Sequence, residues 1–240
     1  MNTGIGDAVD LGWKLAAVLD GWGGDRLLPS YDSERRPIGT RNVDMTTSFY
    51  LDHRKFADGL AIIDEAAPAG CQMRQRLGEA LVRVVGRMFC TTGLQLGYRY
   101  ENSPISLPDS TSPGPDDAKE YIPLARPGSR APYAWLGEGR SILDLFGRGF
   151  VLLQLGPDAP DGAAFESAAT ARGIPLKRVI VKAPTVAELY GRRLVLVRPD
   201  GHVAWRGDEV PPRPADEMAR VSGVAACSCQ ASRTSIEKFE

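Results

Sequence analysis

Apolar residues Ile5, Ala8, Val9, Leu11, Leu15, Ala16, Val18 and Leu19 recur at helical spacing over the first nineteen positions. The chain is therefore expected to open with a helix that has one broad apolar face and a partly buried flank. Asn2 or Thr3 suits its cap, and Asp7 suits the positive end of its dipole. Gly4 and Gly6 leave the backbone open to close approach, as a helix start that holds an anion or an electron-rich ring edge would need. Gly21, Gly23 and Gly24 end this helix, with Trp22 folding back on it. A second helix is expected from Tyr31. Asp32, Glu34, Arg35 and Arg36 form its first turn and read as a solvated face with local ion pairs, and Pro37 lies near its start. Apolar positions from Val43 to Ile63 predict helix over 40–66. After a loop at 66–70, Leu77, Leu81, Val84, Val85 and Met88 predict another helix over 73–89.

The pattern then changes. Residues 94–100 alternate as a half-exposed strand would, which accounts for Tyr98 and Tyr100. Residues 108–128 are rich in Pro, Asp, Ser and Gly and read as a linker. Beyond it come a helical turn at 141–147, a fully apolar strand at 150–155, a helix at 163–172 and a strand at 179–181. A helical turn at 186–190, a hairpin of 194–197 with 203–206 across Pro199-Asp200-Gly201, and a closing helix at 214–221 complete it. Strand, helix, strand, hairpin, helix is a thioredoxin-like order. The fold class is thus α/β, helical at first and then a small thioredoxin-like unit.

With 43% hydrophobic and 25% charged residues, the chain has the composition of an ordinary globular protein. A formal net charge of −1 leaves no electrostatic footprint for nucleic acid or an anionic membrane. No apolar run reaches the ~20 residues that span a bilayer, and the N-terminus has no signal-peptide pattern. A cytoplasmic location is expected. Cys71, Cys90, Cys227 and Cys229 have neither disulfide-framework nor zinc spacing, so no metal site is assigned. A redox thioredoxin needs Cys-x-x-Cys at a helix start, and Gly156-Pro157-Asp158-Ala159-Pro160 follows the apolar strand instead. Cys227-Ser228-Cys229 lies in the tail. His53, in a charged stretch, reads as a surface residue rather than a general base.

Met1-Asn2-Thr3-Gly4-Ile5-Gly6-Asp7-Ala8-Val9-Asp10-Leu11-Gly12-Trp13-Lys14-Leu15-Ala16 strongly resembles the flavin-contacting helix of the flavoprotein aromatic hydroxylases, the group-A FAD-dependent monooxygenases. Tyr31-Asp32-Ser33-Glu34-Arg35-Arg36-Pro37 resembles the Tyr-x-x-Glu-Arg-Arg-Pro stretch that follows it there. Leu96-Gly97-Tyr98-Arg99-Tyr100-Glu101-Asn102-Ser103-Pro104-Ile105 is similar to the join between the two parts of the longer hydroxylases. The later unit resembles the thioredoxin-like C-terminal domain of the phenol- and polyketide-hydroxylase types.

The resemblance implies FAD as cofactor, NADPH or NADH as reductant, and a small aromatic substrate, phenolic or polyketide. It puts the backbone of Met1, Asn2 and Thr3 at the pyrimidine edge of the flavin, with Gly4 and Gly6 permitting close approach. An arginine of the second motif would hold its helix against the flavin domain. No catalytic acid or base is assigned. The Gly-x-Gly-x-x-Gly turn that opens the family's chains is absent, and Gly6-Asp7-Ala8 aligns with a different part of the pattern from the family's Gly-Asp-Ala. The chain is therefore expected to be a fragment whose partner is the missing N-terminal half of the same enzyme. A homodimer is compatible with this reading. The expected divisions are 1–107 from the FAD-binding and substrate domain, 108–125 as linker, 126–222 as the thioredoxin-like domain, and 223–240 as a disordered tail. The competing reading is a folded remnant or interaction module that does not bind FAD by itself.

Overall fold

The computed structural model describes residues 2–54 and 60–225. Helix α1 (Asn2–Leu19) and helix α2 (Leu27–Arg54) are joined by a turn with Gly21 at φ +79°. The turn closes by hydrogen bonds from Trp22 N and Gly23 N to Ala17 O. Trp22 does fold back, stacking on Trp13 with ring centroids 6.2 Å apart. Side-chain contacts between Lys14 and Glu34, Asp7 and Arg35, and Thr3 and Asn42 step in opposite directions along the two helices, so they pack antiparallel.

The inward face of α1 is not the apolar one that periodicity suggests. Asp10, Trp13, Lys14 and Ala17, spaced i, i+3, i+4 and i+7, are buried, while Ile5, Val9, Leu15, Val18 and Leu19 are exposed. Charged groups can take the inner face because each finds an opposite charge there. The cap expectation also changes, since Asn2 and Thr3 already lie within the helix. Helix α2 begins at Leu27, which is fully buried at the turn, and so Pro37 falls inside the helix rather than near its start. Of the helix expected over 40–66, the described part runs to Arg54 and a short 3₁₀ turn stands at Leu60–Ile62, residues 55–59 lying outside the described residues; α3 (Pro68–Phe89) starts on its proline, earlier than the apolar spacing suggests.

Residues 94–100 are not a strand. Helix α4 (Thr92–Leu96) takes its first three residues, and the rest holds only a single bridge from Arg99 to Ser129. The backbone here is claimed by the following segment: Leu94 N donates to Ala118 O, and a Cβ on Gly93 would lie 1.8 Å from Asp117 O. The Pro-rich stretch carries no regular element, yet it is tied down at its start and near its middle. Arg206 Nε donates to Asp109 (2.7 Å) and Arg41 Nε to Asp116 (2.8 Å).

A small hairpin, β1 (Trp135–Gly137) and β2 (Arg140–Ser141), precedes a 3₁₀ turn at Ile142–Leu145 held by a Ser141–Asp144 capping box. The main sheet contains β3 (Phe150–Leu155), β4 (Leu176–Val181), β5 (Leu194–Val197) and β6 (Val203–Gly207). Its order is β4-β3-β5-β6, with β3 and β4 parallel and the other pairs antiparallel. Helices α5 (Ala163–Thr170), α6 (Pro184–Tyr190) and α7 (Pro214–Val221) complete a thioredoxin-like α/β unit.

Every residue of β3 is buried, because both faces of the sheet are covered. Val151, Leu153, Leu155, Val195 and Val197 pack with Val186 and Tyr190 of α6. Phe150, Leu152, Leu194 and Leu196 pack with Phe165 of α5 and Met218 of α7, and with Trp13, Ala17, Trp22 and Leu27. The first two helices and one face of the sheet thus share a single hydrophobic core.

That junction admits no extra atoms at its edge. Gly24 N donates to Ser222 O and Arg26 N to Gly223 O, each at 2.9 Å. A Cβ on Gly24 would stand 2.5 Å from the carbonyl oxygen of Gly223. Gly24→Ala is expected to cost about 1–3 kcal/mol by forcing the two backbones apart. Thermal unfolding followed by circular dichroism checks this; an unchanged midpoint would mean that the junction yields freely.

Candidate functional site

Arg198, at the end of β5, is fully buried beneath α1 and α2. Its Nη1 donates to Glu34 Oε1 (2.5 Å), and its Nη2 to Glu34 Oε2 (3.0 Å), Asp10 Oδ1 (3.1 Å) and Asp200 Oδ2 (2.5 Å). Lys14 Nζ reaches the same two helical carboxylates, Asp10 Oδ2 at 2.8 Å and Glu34 Oε2 at 2.6 Å. Ser103 Oγ also donates to Glu34. The guanidinium lies 5.3 Å from the Trp13 ring centre and 5.2 Å from that of Tyr100, so its faces are covered by π systems. Removing one partner from such a buried network costs roughly 3–5 kcal/mol, because an uncompensated charge stays behind.

Of the motif read as a solvated face, only Arg36 and Asp32 form an exposed i,i+4 pair. Glu34 and Arg35 are buried. Arg35 holds α2 to α1: its Nε donates to Asp7 Oδ1 at 2.8 Å, its Nη2 to Thr3 O at 3.3 Å, and its Nη1 to the Tyr100 hydroxyl at 3.2 Å. These bonds satisfy a charge that would otherwise be costly to bury. Burial drives the Tyr100 hydroxyl far above its ordinary range, which keeps it neutral.

Three carboxylates (Asp10, Glu34, Asp200) meet two full cations (Lys14, Arg198) in this cluster. One carboxylate is therefore in excess, and the cost falls on Asp10. Burial, with Asp200 and Glu34 adding to it against Arg198 and Lys14, pushes Asp10 up to about 7. Burial raises Glu34 as well, but the charge and hydrogen bonds of Arg198, together with Lys14, outweigh it and bring Glu34 down to about 2.

Beside the cluster opens a cleft of about 850 Å³. One wall is the N-terminal end of α1, with Thr3, Ile5, Gly6 and Val9. A second is one face of α2, where Arg35, Ile38, Asn42, Thr46 and Phe49 recur at three- and four-residue spacing. The third comes from the thioredoxin-like unit: Leu143 and Phe146, Arg130, and the hairpin turn Pro199–His202. Gly201 takes φ +79° in that turn, and His202 N donates to Asp200 Oδ1 at 3.1 Å. A largely apolar space with a few polar groups is suited to a small organic ligand.

Thr3 and Gly6 of the sequence-derived set line the cleft. Gly4 does not line it, and nothing stands within 4 Å of the place its Cβ would take. Asn2 is the first helical residue, and Met1 lies outside the described residues. The bare Cα of Gly6 has another use as well: a Cβ there would sit 2.8 Å from Arg35 Nη2. His53 contributes no described side chain, and Cys227 and Cys229 lie outside the described residues, as does the tail from 226. Sequence reasoning missed Arg198, Asp200, His202, Arg130 and Asn42. The available signal was an arginine closing the apolar run Leu194–Val197 directly before the Pro-Asp-Gly turn.

The family model described as "FAD binding domain" matches residues 1–46, and that described as "Aromatic-ring hydroxylase, C-terminal" matches residues 125–225. An FAD-dependent monooxygenase of Penicillium oxalicum is 36% identical over 92% of this chain. A 4-methyl-5-nitrocatechol 5-monooxygenase of a Burkholderia species is 36% identical over 95% of it. The structure of the rebeccamycin biosynthetic enzyme RebC with reduced flavin superposes with a TM-score of 0.84 at 42% identity, over 94% of this chain. The chain belongs to the flavoprotein aromatic hydroxylases.

It spans 43% and 40% of the two relatives' lengths and 42% of the RebC chain. Within this chain, the two matched regions both line the cleft. No helix among the described residues is long and apolar enough to cross a membrane.

The cluster gives the chain a specific pH dependence. The folded value of Asp10 lies above its ordinary 3.8. Its contribution is thus complete below about pH 4 and is lost as pH rises through about 7. Glu34, lowered from 4.5, contributes above that value, and its share is lost only as pH falls through about 2. Between about pH 5 and pH 8 the unfolding midpoint is expected to fall, and Asp10→Asn to remove most of that slope. Melting curves across this range check it; an equal slope in both proteins would place the proton elsewhere.

Proposed function

We propose that this chain is the flavin- and substrate-facing C-terminal part of an FAD-dependent, NAD(P)H-using monooxygenase that hydroxylates an aromatic ring, phenolic or polyketide. The observation that carries the reading is the cleft itself, bounded by the region that matches an FAD-binding domain and the region that matches a hydroxylase C-terminus. The expected divisions at 1–107, 108–125 and 126–222 belong to the same proposal.

The residues present fit one part of the cofactor. The first turn of α1 has backbone N–H groups without intrahelical partners, and its positive end favours an electron-rich ring edge by about 0.3–2 kcal/mol. The open space at Gly4 and the Thr3 and Gly6 lining leave room for such an edge. The backbones of Asn2 and Thr3 are therefore assigned to the edge of the flavin ring, with Gly4 and Gly6 permitting its approach, and the same role is proposed from the family resemblance for Met1, which lies outside the described residues. Arg35 keeps that end of the helix in place through Asp7 and the Thr3 carbonyl. For the pyrophosphate the sequence offers no Gly-x-Gly-x-x-Gly cradle. When bound, FAD supplies the redox and oxygen-transfer chemistry. The protein's share is to orient the rings and to keep water out with Ile5, Val9, Ile38, Phe49 and Phe146.

The exposed stripe of Leu15, Val18 and Leu19 on α1, outside the cleft, also favours a second reading, an interaction module without its own cofactor. Under the first reading, this stripe is where the N-terminal half of the enzyme packs. A cytoplasmic setting completes the proposal, supported by the exposed free thiols Cys71 and Cys90.

Riboflavin and FAD separate these possibilities, because they share the ring and differ in the phosphates. The chain is expected to quench riboflavin fluorescence saturably but weakly, and to bind FAD no more tightly. FAD binding far tighter than riboflavin would reveal a phosphate cradle within this chain. Binding of neither flavin would leave the interaction module as the better reading.

A further inference from the structure

Arg130 stands apart from the other sheltered arginines. Arg35, Arg41, Arg99, Arg126, Arg178, Arg192, Arg198 and Arg206 are each at least partly buried and each within 4 Å of a carboxylate. Arg130 is half-buried, yet among the described residues it has no ion pair and its side chain makes no hydrogen bond. It lines the cleft between α1, α2 and the hairpin turn.

Its position is fixed by backbone pairing. Arg130 and His202 form an antiparallel bridge, with Val203 N donating to Ser129 O and Ala131 N to Gly201 O, each at 2.9 Å. Residues directly opposite in such a bridge send their side chains to the same side. His202 also lines the cleft, is 3% exposed, and has hydrogen-bond partners on neither ring nitrogen. Its ring lies 4.4 Å from Tyr100 and 5.4 Å from Tyr98, so its orientation is held by stacking. Its Nδ1 stands 3.5 Å from Asp200 Oδ2, a carboxylate that Arg198 already engages at 2.5 Å, so the ring is left beside the cleft with its acid shared. Arg130 also lines a smaller neighbouring pocket with Asp116, Asp117 and Glu120 and acts electrostatically on the Tyr121 phenol; with no ion pair to a described carboxylate, its guanidinium keeps a positive charge that an anion in the cleft meets away from bulk water.

We propose that Arg130, backed by His202, is an oxyanion-binding subsite through which the cysteine-free thioredoxin-like unit holds a carboxylate or phenolate carried by a flat aromatic ligand. This rests on the aromatic-hydroxylase reading and narrows its substrate class to ring systems with an acidic oxygen. The rest of the cleft receives the ring: Ile38 and Phe49 from α2, and Leu143 and Phe146 from the unit that also carries Arg130. A planar, five-donor guanidinium suits the two oxygens of a carboxylate better than lysine would.

The test uses the whole chain and two near-isosteric ligands, 2-naphthoate and neutral 2-naphthamide, titrated at pH 8 by calorimetry. Naphthoate is expected to bind at least roughly tenfold more tightly, the usual worth of a charge-assisted hydrogen bond. Arg130→Gln should abolish that preference, and Arg130→Lys should retain part of it. Rising salt should shrink the preference in the wild-type chain only slightly, because the charge is sheltered. Equal affinity for the two ligands in the wild-type chain overturns the proposal without any variant, so a misfolded Arg130→Gln protein cannot protect it. Persistence of the preference in a folded Arg130→Gln protein also overturns it. ADP separates the other source of an anion: if ADP binding depends on Arg130 and naphthoate binding does not, the site serves a pyrophosphate and the aromatic-anion assignment falls. Riboflavin keeps the two claims apart. Naphthoate discrimination without riboflavin binding would sustain the subsite and sink the flavin assignment at α1.

Discussion

The charge of Arg198 must be neutralised where it stands, and only α1 and α2 can do it. The residue directly follows the apolar strand β5, and its side chain is fully buried. Glu34 takes both of its terminal nitrogens, Asp10 takes one, and Trp13 and Tyr100 cover its faces. A buried pair of this kind adds little net stability compared with apolar side chains of the same volume. What it imposes is register: carboxylates at positions 10 and 34 meet one guanidinium only if the two helices and the sheet adopt one relative placement. That placement brings the N-terminal end of α1 to the same cleft as the hairpin turn.

The same constraint explains how a thioredoxin-like unit is used without its cysteines. In a redox thioredoxin, the chemistry sits at the start of the helix after the first strand. Here that loop is Gly156-Pro157-Asp158-Ala159-Pro160, and Pro160 O does no more than accept from Gln154 Nε2 at 2.9 Å. The polar groups have moved to the β5–β6 turn. Arg198 points inward to the helices, while Asp200 and His202 line the cleft. The fold supplies a rigid four-stranded edge, and the turn at that edge supplies the chemistry.

Much of the fold was legible because its signals are local. The all-apolar strand Phe150–Leu155, the Pro-Asp-Gly hairpin and the closing helix all stand where spacing and turn chemistry put them. Three readings failed for one shared reason, that a distant partner decided the outcome. Residues 94–100 alternate like a strand, but Ala118 O claims the amide of Leu94 and the start of the stretch turns helical. Glu34 and Arg35 look like a solvated turn until Arg198, Lys14 and Asp7 are brought to them. The apolar stripe of α1 looks like its core face, yet the charged stripe is the one covered. Periodicity weighs hydrophobicity alone and has no means of seeing that Arg198 and Lys14 meet Asp10 and Glu34 on that face.

Gly6 shows how a motif can be correct in its letters while its physical reason changes. Its missing side chain had been read as room for a ligand, and the cleft does reach it. But the atom that would collide with a Cβ is Arg35 Nη2, from the second motif of the same family signature. The two motifs are therefore halves of one contact: the glycine lets the guanidinium reach Asp7 and the Thr3 carbonyl, and the guanidinium holds the helix end that faces the cleft. A side chain at position 6 would act on a ligand only by first displacing Arg35. The spacing of the two motifs along the chain follows from the antiparallel packing of α1 and α2.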